Sequence, residues 1–264
     1  MGLKDQLRGS LPEEVREQVS DHFEVIGDVA VIVLPRSLDQ YRQLIAKTIV
    51  SHRRNLLTVL TKVEDVNGSS RTARYEVVIG GGTETTHREF GFAYRLDVAR
   101  VFFSTRMAYE RKRVTDQVEP GEQVLIPFAG VGPFVIPAAD HGAQVTAIEQ
   151  NPDAVRWLNE NLCTNHVRTN CRVLQGDVFD PSLIPDMKFD RIIIPTPYGL
   201  DSALDLFLPL VPEGGMVHFY TFKTKEEIPG LIAAYEQKGL TVTYQSPCGN
   251  VAPGVSRQVF DLSR

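Results

Sequence analysis

Residues 124–134 read VLIPFAGVGPF. An apolar run of branched side chains is the pattern of a strand buried on both faces, and here it passes into a loop with two glycines and one proline. Glycine belongs where a strand-to-helix turn must be tight and where a ligand must approach the backbone closely. A tight turn alone would account for the glycines equally well. The register of the next two apolar runs shifts the balance. Glu149 ends the first of them, QVTAIEQ, about 20 residues past the first glycine, where an acidic side chain can accept both hydroxyls of a ribose. Asp177 ends the second, CRVLQGD, where a carboxylate can accept an adenine amino group. Three such strand ends point to an adenosine-bearing cofactor at the carboxyl edge of a sheet.

The same residues choose between cofactors. A dinucleotide site wants GxGxxG, but Val135 occupies the third glycine position and Pro133 precedes it. S-adenosylmethionine carries no phosphates and needs only the close backbone approach, so it is the expected cofactor. The residues expected to line its pocket are Phe128, Ala129, Gly130, Val131, Gly132, Glu149, Gln150, Asp177, Val178 and Pro195. The six histidines show no metal-ligand spacing, and no metal is expected.

Outward from the loop, strand-like and helix-like segments alternate from about residue 120, the signature of a parallel sheet with helices on both faces. GPFVIPAADHG, NPDAVRWLNENLCTN, SALDLFLPL and KEEIPGLIAAYEQKG read as helices, and Asn151 and Pro152 fit an N-cap and first helical position. FDRIIIP, GMVHFYTF, LTVTYQS and SRQVFDLS continue the strand series. Upstream, HFEVIGDVAVIVLP reads as two short strands about a Gly-Asp turn, SLDQYRQLIAKTIVSH as an amphipathic helix, and RTARYEVVIGG and GFAYRLDVARVFF as further strands. The expected organisation is therefore a small α+β module over residues 1–118 and a doubly wound, Rossmann-like α/β domain over residues 119–264.

Composition narrows the surroundings. A 264-residue chain with 42% hydrophobic and 23% charged residues is an ordinary globular protein, and no run approaches the roughly 20 apolar residues that cross a bilayer. The polar N-terminus does not read as a signal peptide, so a cytoplasmic location is expected. Cys163, Cys171 and Cys248 show no CxxC spacing and read as reduced, buried or half-buried thiols. The net charge is −5, yet residues 36–118 hold 15 Lys and Arg against 9 Asp and Glu. That basic middle fits a footprint for phosphates or a surface of salt bridges equally well.

FAGVGPF, AIEQNPDAV, NENLCTN, QGD, DRIII, GGMVHFYTF and VAPGVSRQVFDL, together with FEVIGDVAVIVLP, RTARYEVVIGG and DVARVFFSTRMAYERKRV, resemble the archaeal and eukaryal tRNA (guanine-N1)-methyltransferases that act at nucleotide 37. The related aminocarboxypropyl transferases of wybutosine synthesis share this framework. The resemblance implies a class I methyltransferase domain, S-adenosylmethionine as cofactor and tRNA as partner, with a monomer expected and no membrane. It also implies that Glu110 takes the proton from guanine N1, that Arg71 stabilises the base oxygen, and that Arg106 belongs to the same motif. Read from spacing alone, Arg106 and Glu110 share a helix face begun near Ser104 and fit a surface ion pair worth roughly 0.3–0.5 kcal/mol.

The chain departs from the family's pattern in three respects. Ile126 stands where the family has Asp, Pro195 stands where it has the Asn that positions guanine, and the family's additional N-terminal domain for the outer corner of tRNA is not expected among these residues. Proline offers neither a side-chain acceptor nor a backbone N–H, so Thr196 or a backbone carbonyl would have to substitute. Tyr198, after Pro197, keeps the aromatic on which a base stacks. Thr196, Pro197 and Tyr198 are thus the expected substrate residues. The remaining charged and aromatic residues read as ordinary: His218 as a hydrogen-bonded core histidine, Trp157 as core, and Arg111, Lys112 and Arg113 as a solvated face. The leading reading is a tRNA methyltransferase acting on a purine at or near position 37. Its rivals are aminocarboxypropyl transfer, a noncatalytic RNA-binding protein and a small-molecule methyltransferase.

Overall fold

A computed structural model describes residues 2–67 and 72–264. It comprises two compact units, Met1–Thr105 and Arg106–Arg264. The division lies upstream of the boundary expected at residue 118.

In the first unit the elements run α1 Leu3–Gln6, α2 Glu13–Glu17, β1 Glu24–Ile26, β2 Val29–Ile32, α3 Arg42–His52, β3 Thr58–Asn67, β4 Thr72–Ile79, β5 Glu84–Glu89 and β6 Phe92–Asp97. The first two strands pair antiparallel about the Gly-Asp turn, as expected. Because β2 and β3 are parallel, the chain must cross over between them, and α3 makes that crossover. Its Ile45, Ala46 and Ile49 are buried against Ala30, Ile32 and Val59 of the sheet. Two strands go beyond those expected from the sequence. One, β3, runs from an apolar start into charged residues; the other, β5, reads ETTHRE and has no apolar residue, since it pairs only with β6.

The second unit continues with α4 Ala108–Thr115, β7 Gln123–Pro127, α5 Val135–Asp140, β8 Gln144–Glu149, α6 Pro152–Thr164, β9 Cys171–Gln175, β10 Arg191–Ile194, α7 Ala203–Phe207, β11 Met216–Lys223, α8 Ile228–Gln237, β12 Thr241–Ala252 and β13 Val255–Ser263. They form one sheet in the order β12-β13-β11-β10-β7-β8-β9. The sheet is mixed rather than wholly parallel, because β13 returns antiparallel between β11 and β12. A tight hairpin can only join antiparallel neighbours, so the last two strands need no helix. One face buries Leu125, Ile192, Ile194, Val217, Phe219, Phe260 and Leu262 with Phe207 and Tyr235. Trp157 and Leu158 of α6 are also enclosed. Cys171 is buried and Cys248 half-buried, but Cys163 is exposed on α6, contrary to expectation. Among the described residues no helix is long and apolar enough to cross a membrane.

Helix α6 begins as its sequence indicates: Asn151 Oδ1 accepts the Asp153 amide at 3.0 Å, with Pro152 at the first helical position. Asn151→Ala is expected to cost about 1 kcal/mol of stability, read as a lower urea midpoint at unchanged slope.

Candidate active site

The chain order places β7 inside its sheet, between β10 and β8. It builds outward through β8 and β9 on one side, then returns to start β10 on the other. Ligands of open α/β sheets bind at the carboxyl ends of the strands flanking such a reversal. The glycine loop after β7 and the proline loop after β10 both lie there.

The glycine loop is shaped by backbone conformation. Phe128 and Gly130 both adopt φ of 56°, and Gly132 adopts 97°. A left-handed phenylalanine is costly and persists where the surroundings over-determine it, as at ligand sites. A Cβ at Gly132 would come within 2.6 Å of Leu158 Cδ1, so this glycine admits α6 to the loop. A Cβ at Gly130 would meet nothing within 4 Å, so there the backbone borders open space. Glu149 anchors the arrangement: its Oε2 accepts the Gly130 amide at 2.7 Å and its Oε1 the Asn151 amide at 2.8 Å. Asp177 is exposed just past β9, and its Oδ1 accepts the Phe179 amide at 3.0 Å. The Phe128 and Phe179 rings stand 6.5 Å apart, with Val178 buried and Gln150 half-buried. Ala129 and Val131 are buried and contribute backbone only. Apolar faces flanked by two carboxylates suit an adenosine, whose base is flat and whose ribose and amino group are donors.

Past β10, Pro195 is half-buried and Pro197 buried. The Thr196 hydroxyl does not face outward as a substitute acceptor would, since the residue is 1% exposed and its hydroxyl donates to the Ile194 carbonyl at 3.1 Å. Tyr198, by contrast, is 71% exposed and meets the Phe222 ring edge-on at 5.4 Å. Ile126 is fully buried within β7.

Glu110 does not pair with Arg106. Arg106 lies in a 3-10 turn, Thr105–Met107, that precedes α4, and it is exposed. The carboxylate of Glu110 is instead held by Arg113, which donates from Nε to Oε2 at 2.9 Å and from Nη2 to Oε1 at 2.8 Å. The Tyr220 hydroxyl donates to Oε1 at 2.9 Å. Arg113 also donates to both oxygens of Asp261, at 2.6 and 2.9 Å. His218 Nδ1 lies 2.7 Å from Asp261 Oδ1, and Arg191 Nη1 lies 2.7 Å from His218 Nε2. Arg191 ends the chain on Glu122, at 2.8 and 2.9 Å. Arg71 lies outside the described residues.

Donor counting fixes the protonation of this seam. Arginine can only donate, so His218 Nε2 must accept, and the imidazole is neutral with its proton on Nδ1, aimed at Asp261. Burial agrees, pushing His218 below the ordinary imidazole range despite the opposing pull of Asp261. For Asp261, burial would raise the carboxyl, but the hydrogen bonds from His218 and Arg113 prevail and hold it well below the usual range. Burial would likewise lower Arg113, yet its bonds to Asp261 and Glu110 raise it. Tyr220 is pushed far up by burial and by Glu110, so it remains a donor.

Spacing does not reveal this seam, and Arg113 is a half-buried clamp rather than part of a solvated face. Arg111 is buried too, and only Lys112 lies at the surface, paired with Asp116. The available signal is one charged or polar residue inside each of three apolar strands, Arg191 in DRIII, His218 in GMVHFY and Asp261 in VFDL.

The sheet order and the loops at its carboxyl edge define the class I methyltransferase fold. A sequence model of the TRM5/TYW2 methyltransferase domain matches residues 85–234, and one of the TYW2 N-terminal domain matches residues 3–83. The chain belongs to the TRM5/TYW2 methyltransferase family. It is 37% identical over 214 residues to the tRNA (guanine(37)-N(1))-methyltransferase Trm5b of Pyrococcus abyssi, covering 81% of this chain but only 63% of that protein. It is 32% identical to the tRNA 4-demethylwyosine(37)-methyltransferase Taw21 of Saccharolobus solfataricus, covering 85% of this chain and 87% of the relative. Among solved structures, a complex of aTrm5 with tRNALeu superposes with a TM-score of 0.90 at 26% identity, covering 100% of this chain and 78% of that one. TYW2 of Methanocaldococcus jannaschii in complex with AdoMet superposes with a TM-score of 0.65 at 25% identity, covering 92% of this chain and 100% of that one.

Because the folded Asp261 value is depressed, its contribution to stability is present above the ordinary aspartate pKa of ~3.9 and is lost as pH falls toward the folded value. Asp261→Asn is expected to cost about 3 kcal/mol or more at pH 7 and clearly less near pH 2, since the contribution fades only between the ordinary value and the depressed one. Urea unfolding of both proteins at the two pH values checks this. An equal loss at both would place the effect in packing.

Proposed function

We propose that this chain transfers a methyl group from S-adenosylmethionine to the base at position 37 of tRNA. One connection carries the reading. Phe134, at the end of the glycine loop, lies 5.7 Å ring to ring from Tyr220, whose hydroxyl holds Glu110 at 2.9 Å. The loop that would hold the cofactor and the carboxylate that would take the proton are thus joined by one aromatic contact and one hydrogen bond. Both belong to one compact unit.

Gly130, Glu149, Asp177 and the Phe128–Phe179 pair would hold the adenosyl group, with Glu149 toward the ribose. The cofactor supplies an electrophilic methyl when bound there. Guanine N1 must lose a proton as it accepts that methyl, and Glu110 is the acceptor: a carboxylate oriented by Arg113 and Tyr220, with its side chain 11% exposed. The exposed Tyr198 ring offers a stacking face for a base taken out of its stack. We assign Arg71 and Arg106 to the substrate side on the strength of the family pattern. Residues 36–118, with their excess of positive charge, are the natural carriers of RNA contacts. We take the enzyme to act as a monomer. The three free cysteines are in keeping with a cytoplasmic setting.

Guanine is the first target because Trm5 relatives act on it. A second target, the tricyclic base 4-demethylwyosine, is favoured by a specific observation. With Pro195 in place and the Thr196 hydroxyl turned inward, neither residue presents a side-chain acceptor to a guanine edge. Similarity to the Taw21 relative over most of that protein's length points the same way.

Methyl-labelled cofactor incubated with tRNA bearing guanine or 4-demethylwyosine at position 37, followed by nucleoside mass analysis, decides among these. Label in 1-methylguanosine supports the first target and label in the tricyclic base the second. A product heavier by an aminocarboxypropyl group, or no product from either tRNA, overturns methyl transfer. Glu110→Gln is expected to slow the chemical step by about 10²-fold or more in single-turnover assays while leaving cofactor affinity unchanged.

A further inference from the structure

We infer that Arg257 is a phosphate-binding residue for the nucleotide whose base is methylated. The inference rests on the target loop assigned above. Arg257 lies on β13 directly across from Phe222 of β11, and its guanidinium sits 5.0 Å from the centre of the Phe222 ring. The same ring meets Tyr198 edge-on at 5.4 Å. One phenylalanine therefore touches both the guanidinium and the exposed stacking residue at the carboxyl edge.

Two other arginines of this unit are matched to carboxylates: Arg113 to Glu110 and Asp261, Arg191 to Glu122. Arg257 forms no ion pair among the described residues. Nearby acids are taken, since Asp201 is held by Lys223 and Thr221. The ionisable groups that act on Arg257 are Cys248, Tyr220 and Arg111, none of them a carboxylate, and burial moves its pKa below the ordinary arginine value. Cation–aromatic attraction compensates only part of a guanidinium's lost hydration. A half-buried cation without a counter-ion at the edge of a site is the arrangement that an incoming anion completes.

That anion is phosphate rather than a base oxygen. A base stacked on Tyr198 lies against the tyrosine, whereas the guanidinium lies against the neighbouring Phe222 ring, an offset that suits the base's own sugar-phosphate. The planar fork of arginine matches two phosphate oxygens. The residues that precede it in the β12–β13 hairpin, 250–256, line an open cavity of about 420 Å³.

Arg257→Met keeps the stem's packing and removes the charge, and Arg257→Lys keeps the charge without the fork. Binding of an anticodon stem-loop RNA is measured across a salt series, with thermal unfolding alongside. Arg257→Met is expected to raise Kd about tenfold and to lower the slope of log K against log salt by about one. It should unfold no earlier than the wild type, since an uncompensated charge has been removed. Arg257→Lys should retain the slope and lose part of the affinity. In turnover, the loss should fall mainly on KM for RNA rather than on kcat. Unchanged affinity and slope would overturn the inference, as would earlier unfolding with RNA binding intact. A fall in kcat at an unchanged slope would assign the cation to the base oxygen and equally overturn it. The binding arm needs no methyl transfer, so an inactive wild type whose RNA binding depends on Arg257 would overturn the proposed reaction and leave this site standing.

Discussion

Asp261 is 3% exposed on the last strand, and an ionised carboxylate there is tolerable only because Arg113 and His218 both donate to it. That requirement reaches far along the chain. Arg113 comes from α4 at the start of the unit, Asp261 from its last strand, and His218 from β11 between them in the sheet. The antiparallel insertion of β13 beside β11 brings His218 and Asp261 into register as direct partners. The helix carrying Glu110 is thereby fastened to the sheet by charge as well as by packing, which is why it belongs to the second unit. The same bonds orient Glu110, so the placement of the candidate base is a consequence of how a buried acid is neutralised.

The glycine loop obeys a different constraint. Its two glycines serve opposite purposes although the sequence writes them alike. Gly132 makes room for Leu158, a packing need internal to the fold, whereas Gly130 leaves space beside the backbone. The Gly130 amide is in turn fixed by Glu149, so the acid expected at a ribose also holds the loop in shape. A carboxylate can accept several hydrogen bonds at once, and the structural and ligand roles are compatible on one side chain.

Much of this is legible in the amino-acid sequence, for identifiable reasons. The strands of the larger unit read correctly because a strand covered on both faces is a nearly continuous apolar run, as in DRIII and MVHFYTF. The cap at Asn151 and the core role of Trp157 rest on local chemistry and on helical period, which sequence records directly. What fails is non-local. The spacing of Arg106 and Glu110 assumes an α-helix from Ser104, but a 3-10 turn intervenes and the true partner lies three residues later. Thr196 is expected to face a substrate, yet a hydroxyl after a strand end can bond its own backbone, and here it does. Strand β5 has no apolar residue and no periodic signal to read. The seam from Glu110 to Glu122 joins residues drawn from separate elements, and no window of sequence contains it.

The charge count of that seam bears on which group takes a proton. Arg191 and Glu122 neutralise one another, and His218 is neutral because both its nitrogens are committed. There remain Glu110, Asp261 and a single arginine between them, an assembly with one negative charge in excess. Protonation removes the excess, and it can occur on either acid. On Asp261 it would weaken the bonds from His218 and Arg113 and oppose the strong depression of that carboxyl. On Glu110 it leaves Arg113 paired with Asp261 and strands no buried cation. An arginine shared by two carboxylates therefore leaves the fold electrically intact when the one nearer the glycine loop accepts a proton, which is what the proposed reaction asks of it.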